Sequence, residues 1–243
     1  MKIYTFQPQE LVDSINRDGA AMVQFEKTNL YRNTQESEKG EQYNRAYLWM
    51  GRKLGEKTGI WMKDIYGPDL DVPKDADGDY VDDEGQKMPV FPFWGWYLTA
   101  GENNPPDESY RFDVGDIAWN REHEEMCLVT LKVPDRLVLL SDANAWYTVL
   151  EGRPCYEYES EEDEERLTAA YEKKYENFLT MREGKAQQKI AEELWDEIIG
   201  TWDNIFRLEG RRLRSVMGVM ETHDVQAVFP VIMKDWITVV EKL

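Results

Sequence analysis

The chain of 243 residues has two cysteines and two histidines. Cys127 and Cys155 are too few and too far apart for a disulfide framework or a CxxC-type pair. With His123 and His223 at unrelated spacings, they do not form a zinc ligand set. No stretch of 18 consecutive apolar residues occurs, so no membrane-spanning helix is expected, and the opening MKIYTFQPQELVDS lacks the apolar core of a secretion signal. GxGxxG and GK[ST] phosphate loops are missing, as are a nucleophile elbow and any Ser-His-Asp order. Positive charge is scarce too: 29 Lys and Arg stand against 48 Asp and Glu, a formal net charge of −19. A field of that sign repels nucleic acid and anionic lipid and attracts basic surfaces, so a direct nucleic-acid binder is not expected. The plainer reading of the same charge is solubility. These absences imply a reduced, cytoplasmic chain with no cofactor and no metal, and with no complete catalytic motif.

What the chain does have is acid, aromatics and helical or alternating patterns. With 42% hydrophobic residues it can build a core without staples. KIYTF (2–6) alternates as a strand does. Pro8 and Gly19 bracket a helix carrying Leu11, Val12 and Ile15 on one face, and AAMVQF (20–25) reads as a second strand. Residues 41–59 form a helix whose Tyr43, Ala46, Tyr47, Met50 and Leu54 recur at helical spacing, with Gly59 as its stop. EMCLVTLKVPD (125–135) is the clearest buried strand, and LVLL (137–140) continues it. SDANAWYTVLEG (141–152) is a helix capped by Ser141 or Asp142. Beyond residue 156 apolar residues fall at helical spacing: Leu167, Ala170, Tyr171, Tyr175 and Phe178, then Ile190, Leu194 and Ile198, then VQAVFPVIMKDWITVVEKL with a bend at Pro230. The expected fold is α+β, with a mixed α/β N-terminal half around a small sheet (1–156) and a helical C-terminal half (157–243) packed on the same core.

KDADGDYVDDEGQK (74–87) raises the question of calcium. Asp75, Asp77, Asp79 and Asp83 fall at positions 1, 3, 5 and 9 of a helix-loop-helix calcium loop. Position 6 is Tyr80 instead of Gly, and position 12 is the neutral Gln86. Pro73, Pro89 and Pro92 break the flanking helices. A solvated hairpin around DDEG is the better reading.

The aromatic run Phe91, Phe93, Trp94, Trp96, Tyr97 should place Phe91, Phe93 and Gly95 on one side and Trp94 and Trp96 on the other. It is either a strand covered on both faces or the wall of a cleft. With Arg111, and with Asp142 and Trp146 at a strand-to-helix junction where free backbone donors gather, Trp94, Trp96 and Tyr97 make a candidate pocket. His123 beside Glu124 and Glu125 is either an acid–base pair or an idle surface histidine.

EYESEEDEE (157–165) holds seven acids: Glu157, Glu159, Glu161, Glu162, Asp163, Glu164 and Glu165. As a helix it would rise about 13.5 Å at ~1.5 Å per residue. That gives roughly one charge per 1.9 Å of axis, against ~1.7 Å for duplex DNA. The run is thus a candidate partner-binding face, or simply an acid-rich, solvated helix start, and RRLR (211–214) is expected to answer part of it internally.

PVFPFWGWY (89–97), VPDRLVLLSDANAWYTVLEG (133–152) and TWDNIFRLEG…VQAVFPVIMKDWI (201–237), with KIYTFQPQE and AYLWM, resemble a bacterial and phage family catalogued only as a domain of unknown function. The resemblance implies a fold and no chemistry. PFWGWY and DANAWY depart from the phrases expected of that family, and Arg111 lies in altered surroundings.

Three functions follow. The first is an acidic interaction protein, of phage or mobile-element origin, that occupies the basic nucleic-acid channel of a host defence nuclease. The second is an NAD-using enzyme, since strand KIYTF, the following helix, Gly19 and a strand resemble the start of the ADP-ribosyltransferase fold. There, however, Tyr4, Thr5 and Gln7 stand where a histidine or arginine is expected, and the catalytic glutamate would have to be Glu124, Glu125 or Glu151. The third is a bacterial protein with an unidentified ligand.

Overall fold

Alternation in KIYTFQP puts one side of the strand into a core and leaves the other for a second layer, and the computed structural model shows how both are used. It describes residues 1–23, 40–67, 72–82, 84–98, 125–158, 160, 162–163, 165–167, 169–170, 173, 192–208, 212–215, 218–221 and 225–242. The chain divides into two compact units, residues 1–140 with 224–243, and residues 141–223.

In the first unit β1 (Lys2–Pro8) leads into α1 (Gln9–Asp18), which Gly19 closes in the left-handed region at φ 86°. β2 (Ala20–Ala21), α2 (Gly40–Thr58), α3 (Met62–Tyr66), β3 (Phe93–Leu98) and β4 (Met126–Lys132) follow, and β5 (Leu139–Asp142) begins in this unit and ends with the first two residues of the second. A six-stranded sheet forms in the order β11-β4-β1-β3-β9-β5, with β9 (Val225–Phe229) and β11 (Ile237–Lys242) supplied from the C-terminal end. The β11–β4, β4–β1, β1–β3 and β3–β9 ladders are antiparallel. β2 pairs instead with β10 (Ile232–Met233) in a small separate sheet.

Residues opposite each other in an antiparallel ladder share a face. Ile3 opposes Leu131, and Gly95 opposes Ala227. Ile3, Phe93, Cys127, Val129, Leu131, Ala227 and Phe229 form the main core, over which Val12 and Ile15 of α1 pack. Phe93 and Phe229 stack at 6.0 Å between centroids. The opposite face carries the buried Tyr4 and Leu128, with Phe6 and Trp96 against them. Gly95 lets β3 approach β1: a Cβ there would lie 2.5 Å from Ile3 Cγ2 and 2.8 Å from the Tyr4 carbonyl oxygen.

The second unit holds α4 (Ala143–Leu150), β6 (Glu157–Tyr158), α5 (Glu192–Gly200), β7 (Arg212–Ser215) and β8 (Gly218–Glu221). Its strands form an antiparallel sheet in the order β6-β7-β8.

The helical C-terminal half is therefore overturned: residues 157–243 contribute six strands, β6 to β11. α5 is helical, as Leu194 and Ile198 require, and residues 167 and 170 are helical as well. VQAVF, however, is β9, buried at all five positions. A short apolar run buried on both faces has no periodicity to separate strand from helix. The β-branched ITVV run that follows packs better on a pleated edge than on a helix. The sheet is also not small, because β9 and β11 enlarge it to six strands.

Candidate functional site

The acidic segment 74–87 is two consecutive turns of one design. Asp75 and Asp82 each begin a D-x-x-G-x unit, in which Gly78 and Gly85 take φ 76°. The amides of Asp77 and Asp79 donate to Asp75 Oδ1 at 3.0 and 2.8 Å. Those of Glu84 and Gln86 donate to Asp82 Oδ1 at 3.1 and 2.8 Å. The backbone bonds repeat as well: Asp75 N–H to Asp79 O and Asp82 N–H to Gln86 O, both 2.9 Å. Single bridges, Lys74 with Tyr80 and Val81 with Lys87, close each turn. The glycines supply the left-handed backbone and the leading aspartates gather two amides each. Asp79 is held by Lys87 at 2.5 Å and faces Lys63 at 3.6 Å. The hydrogen bond from Lys87, more than any other influence, keeps its carboxyl below the usual range. Lys63 also donates to the Asp77 carbonyl oxygen at 2.9 Å, and Arg52 pairs with Asp82. These acids shape turns, and the cations that answer them are lysine and arginine side chains of the same unit. Asp83 lies outside the described residues.

β3 divides the aromatic segment as alternation requires. Phe93 and Tyr97 pack with the main core, and Trp96 packs on the other face with Tyr4. Trp94 meets the ring of Tyr47 from α2 edge-on at 5.7 Å. Trp94, Trp96 and Tyr97 are half-buried. Thr5 Oγ1 donates to the Trp94 carbonyl at 2.6 Å, and Gln7 Nε2 donates to Thr5 Oγ1 at 2.7 Å, so the polar groups near this strand brace its backbone.

The other candidate pocket residues belong to the second unit. Asp142 is buried and caps α4: its Oδ1 accepts from the Ala145 amide at 2.8 Å. Trp146, one turn on, is buried. Trp94, Trp96 and Tyr97 thus lie on β3, Asp142 ends β5 of the same six-stranded sheet, and Trp146 lies on α4. Arg111, His123 and Glu124 lie outside the described residues.

A polar cluster that the sequence did not signal lies within the second unit. The fully buried Trp202 donates through Nε1 to the Arg153 carbonyl at 2.8 Å. Asn204 Nδ2 donates to the Cys155 carbonyl, and the Cys155 amide donates to Thr201 Oγ1, both at 2.8 Å. Thr201 Oγ1 in turn donates to the Ile198 carbonyl at 2.7 Å. Four side-chain bonds thus fix residues 153–155 and the end of α5 to the 3-10 turn at 202–206. Burial, with the Asp142 and Glu157 carboxylates nearby, pushes the Cys155 thiol up to about 12, so it is not a nucleophile at neutral pH. Burial likewise raises Cys127, whose Sγ donates to Gln9 Oε1 at 3.2 Å.

The acidic run departs from the helix expected of it. Glu157 and Tyr158 form β6, opposite Leu213 and Arg212 of β7, and among the described residues after them 162 and 163 are helical. The even helical charge spacing therefore does not hold at Glu157. Glu157 is half-buried and accepts from Arg207 at 3.1 Å, and Asp163 pairs with Arg166. Glu162 and Glu165 are exposed, and Glu159, Glu161 and Glu164 lie outside the described residues. RRLR supplies β7 with its Arg212, Leu213 and Arg214.

Among the described residues no group of three or more His, Cys, Asp and Glu is placed to hold a metal ion. Among them also, no helix is long and apolar enough to cross a membrane. No curated protein and no solved structure matches the chain significantly. One family model does match, over residues 79–238, from the second half of the first aspartate turn through the whole second unit to the start of β11. It is described as Domain of unknown function (DUF3841), and the chain belongs to that family.

Proposed function

We propose that this protein is an acidic binding protein of the cytoplasm whose target is a basic protein surface, in its most specific form the nucleic-acid channel of a host defence nuclease. The observation that carries this reading is the net charge of −19 on 243 residues. The excess is shared by both units: the first has 29 acidic and 18 basic residues, the second 19 and 11. A target would therefore meet negative potential over a broad surface, with Glu162 and Glu165 among the exposed carboxylates. Further support comes from polar groups of both units that brace backbone: the buried Thr5 against Trp94, the buried Asp142 against α4, and the half-buried Asn204 against Cys155. Such a protein acts by occupying its target sterically and electrostatically, without turnover.

Affinity capture from native host lysate at low salt, eluted by a salt gradient, tests the idea. Screening shortens from about 10 Å at 0.1 M to about 3 Å at 1 M ionic strength, so an electrostatic partner should be released across that range. The double variant Glu162→Lys, Glu165→Lys should release it at lower salt. A partner retained equally at all salt concentrations, and indifferent to the reversal, would refute the electrostatic mechanism.

A further inference from the structure

We draw no further inference here: the strongest candidate, the outer edge of the six-stranded sheet at β11 with the exposed Val239 and Val240, carries nothing because nothing in the structure shows what covers it.

Discussion

The two units reach order by different means. In the first, backbone ladders do most of the fixing: β1 is bonded along its whole length to β4, and side chains then fall on two faces by alternation. In the second, described strands are short, of two to four residues. There, side chains bond to backbone 46 to 49 residues away: the half-buried Thr201 and Asn204 to Cys155, and the buried Trp202 to Arg153. A ladder distributes its free energy over many equivalent bonds. A side-chain clamp concentrates it in a few groups, each of which leaves an unsatisfied buried partner when removed. The second unit should therefore be the more sensitive to single polar deletions.

The largest effect is expected at Trp202. Trp202→Ala removes a fully buried indole and leaves the Arg153 carbonyl without its donor, at a cost of about 3–5 kcal/mol. Urea unfolding reads the total, and amide exchange should show protection lost in α4 and residues 153–158 before it is lost in β1 and β4. Equal loss in both units would mean that they are not separate in stability.

Gly95→Ala attacks the first unit where backbones lie closest. The new methyl meets the Tyr4 carbonyl oxygen, which cannot rotate away as a side chain does, and overpacking of this kind costs about 1–3 kcal/mol. Its signature should be faster exchange along the β1–β3 ladder. A variant of unchanged melting temperature would show that β3 can shift without loss.

Asn204→Ala takes a clamp from the second unit and leaves the Cys155 carbonyl unsatisfied, at about 1–2 kcal/mol. Cys155 supplies a second readout. Its thiol should resist alkylation at pH 8 in the native protein and label faster in this variant, as the segment opens more often.

The smallest effect belongs to Asp79 in the first aspartate turn, where solvent reaches the pair. Its folded carboxyl titrates below the unfolded one, so the Lys87 pair contributes above the ordinary aspartate range near ~3.9. That contribution fades as pH falls through the lowered value. Melting temperature followed from pH 6 to pH 2.5 should fall slightly less steeply for Asp79→Asn than for the native chain. Identical slopes would remove the turn from the acid response.

The same contrast explains what could be read in advance. α1, α2 and α4 were legible because Gly19, Gly59 and Asp142 mark their ends by local chemistry, a left-handed stop or a side-chain cap. β1 and the two faces of β3 were legible from alternation, and β4 as an apolar run bounded by charge. Of the candidate site residues, the placement of Trp94 and Trp96 on one face followed from period two. That Asp142 ends a strand of the same sheet did not, because spacing within one segment says nothing about which sheet a distant residue joins.

By itself, the sequence determined the acid excess, the local caps and stops, the strand-like alternation near the N-terminus and the family. Tertiary structure alone decided that VQAVF joins the main sheet as a strand between β3 and β5, and that Glu157 pairs in β6 instead of opening a helix. It also decided that Trp202, Thr201 and Asn204 close on a segment nearly fifty residues earlier. The reason is physical. Caps and periodicities are properties of neighbouring residues, whereas an apolar run buried on every side, or a polar side chain seeking a buried carbonyl, takes its conformation from whatever distant chain packs against it.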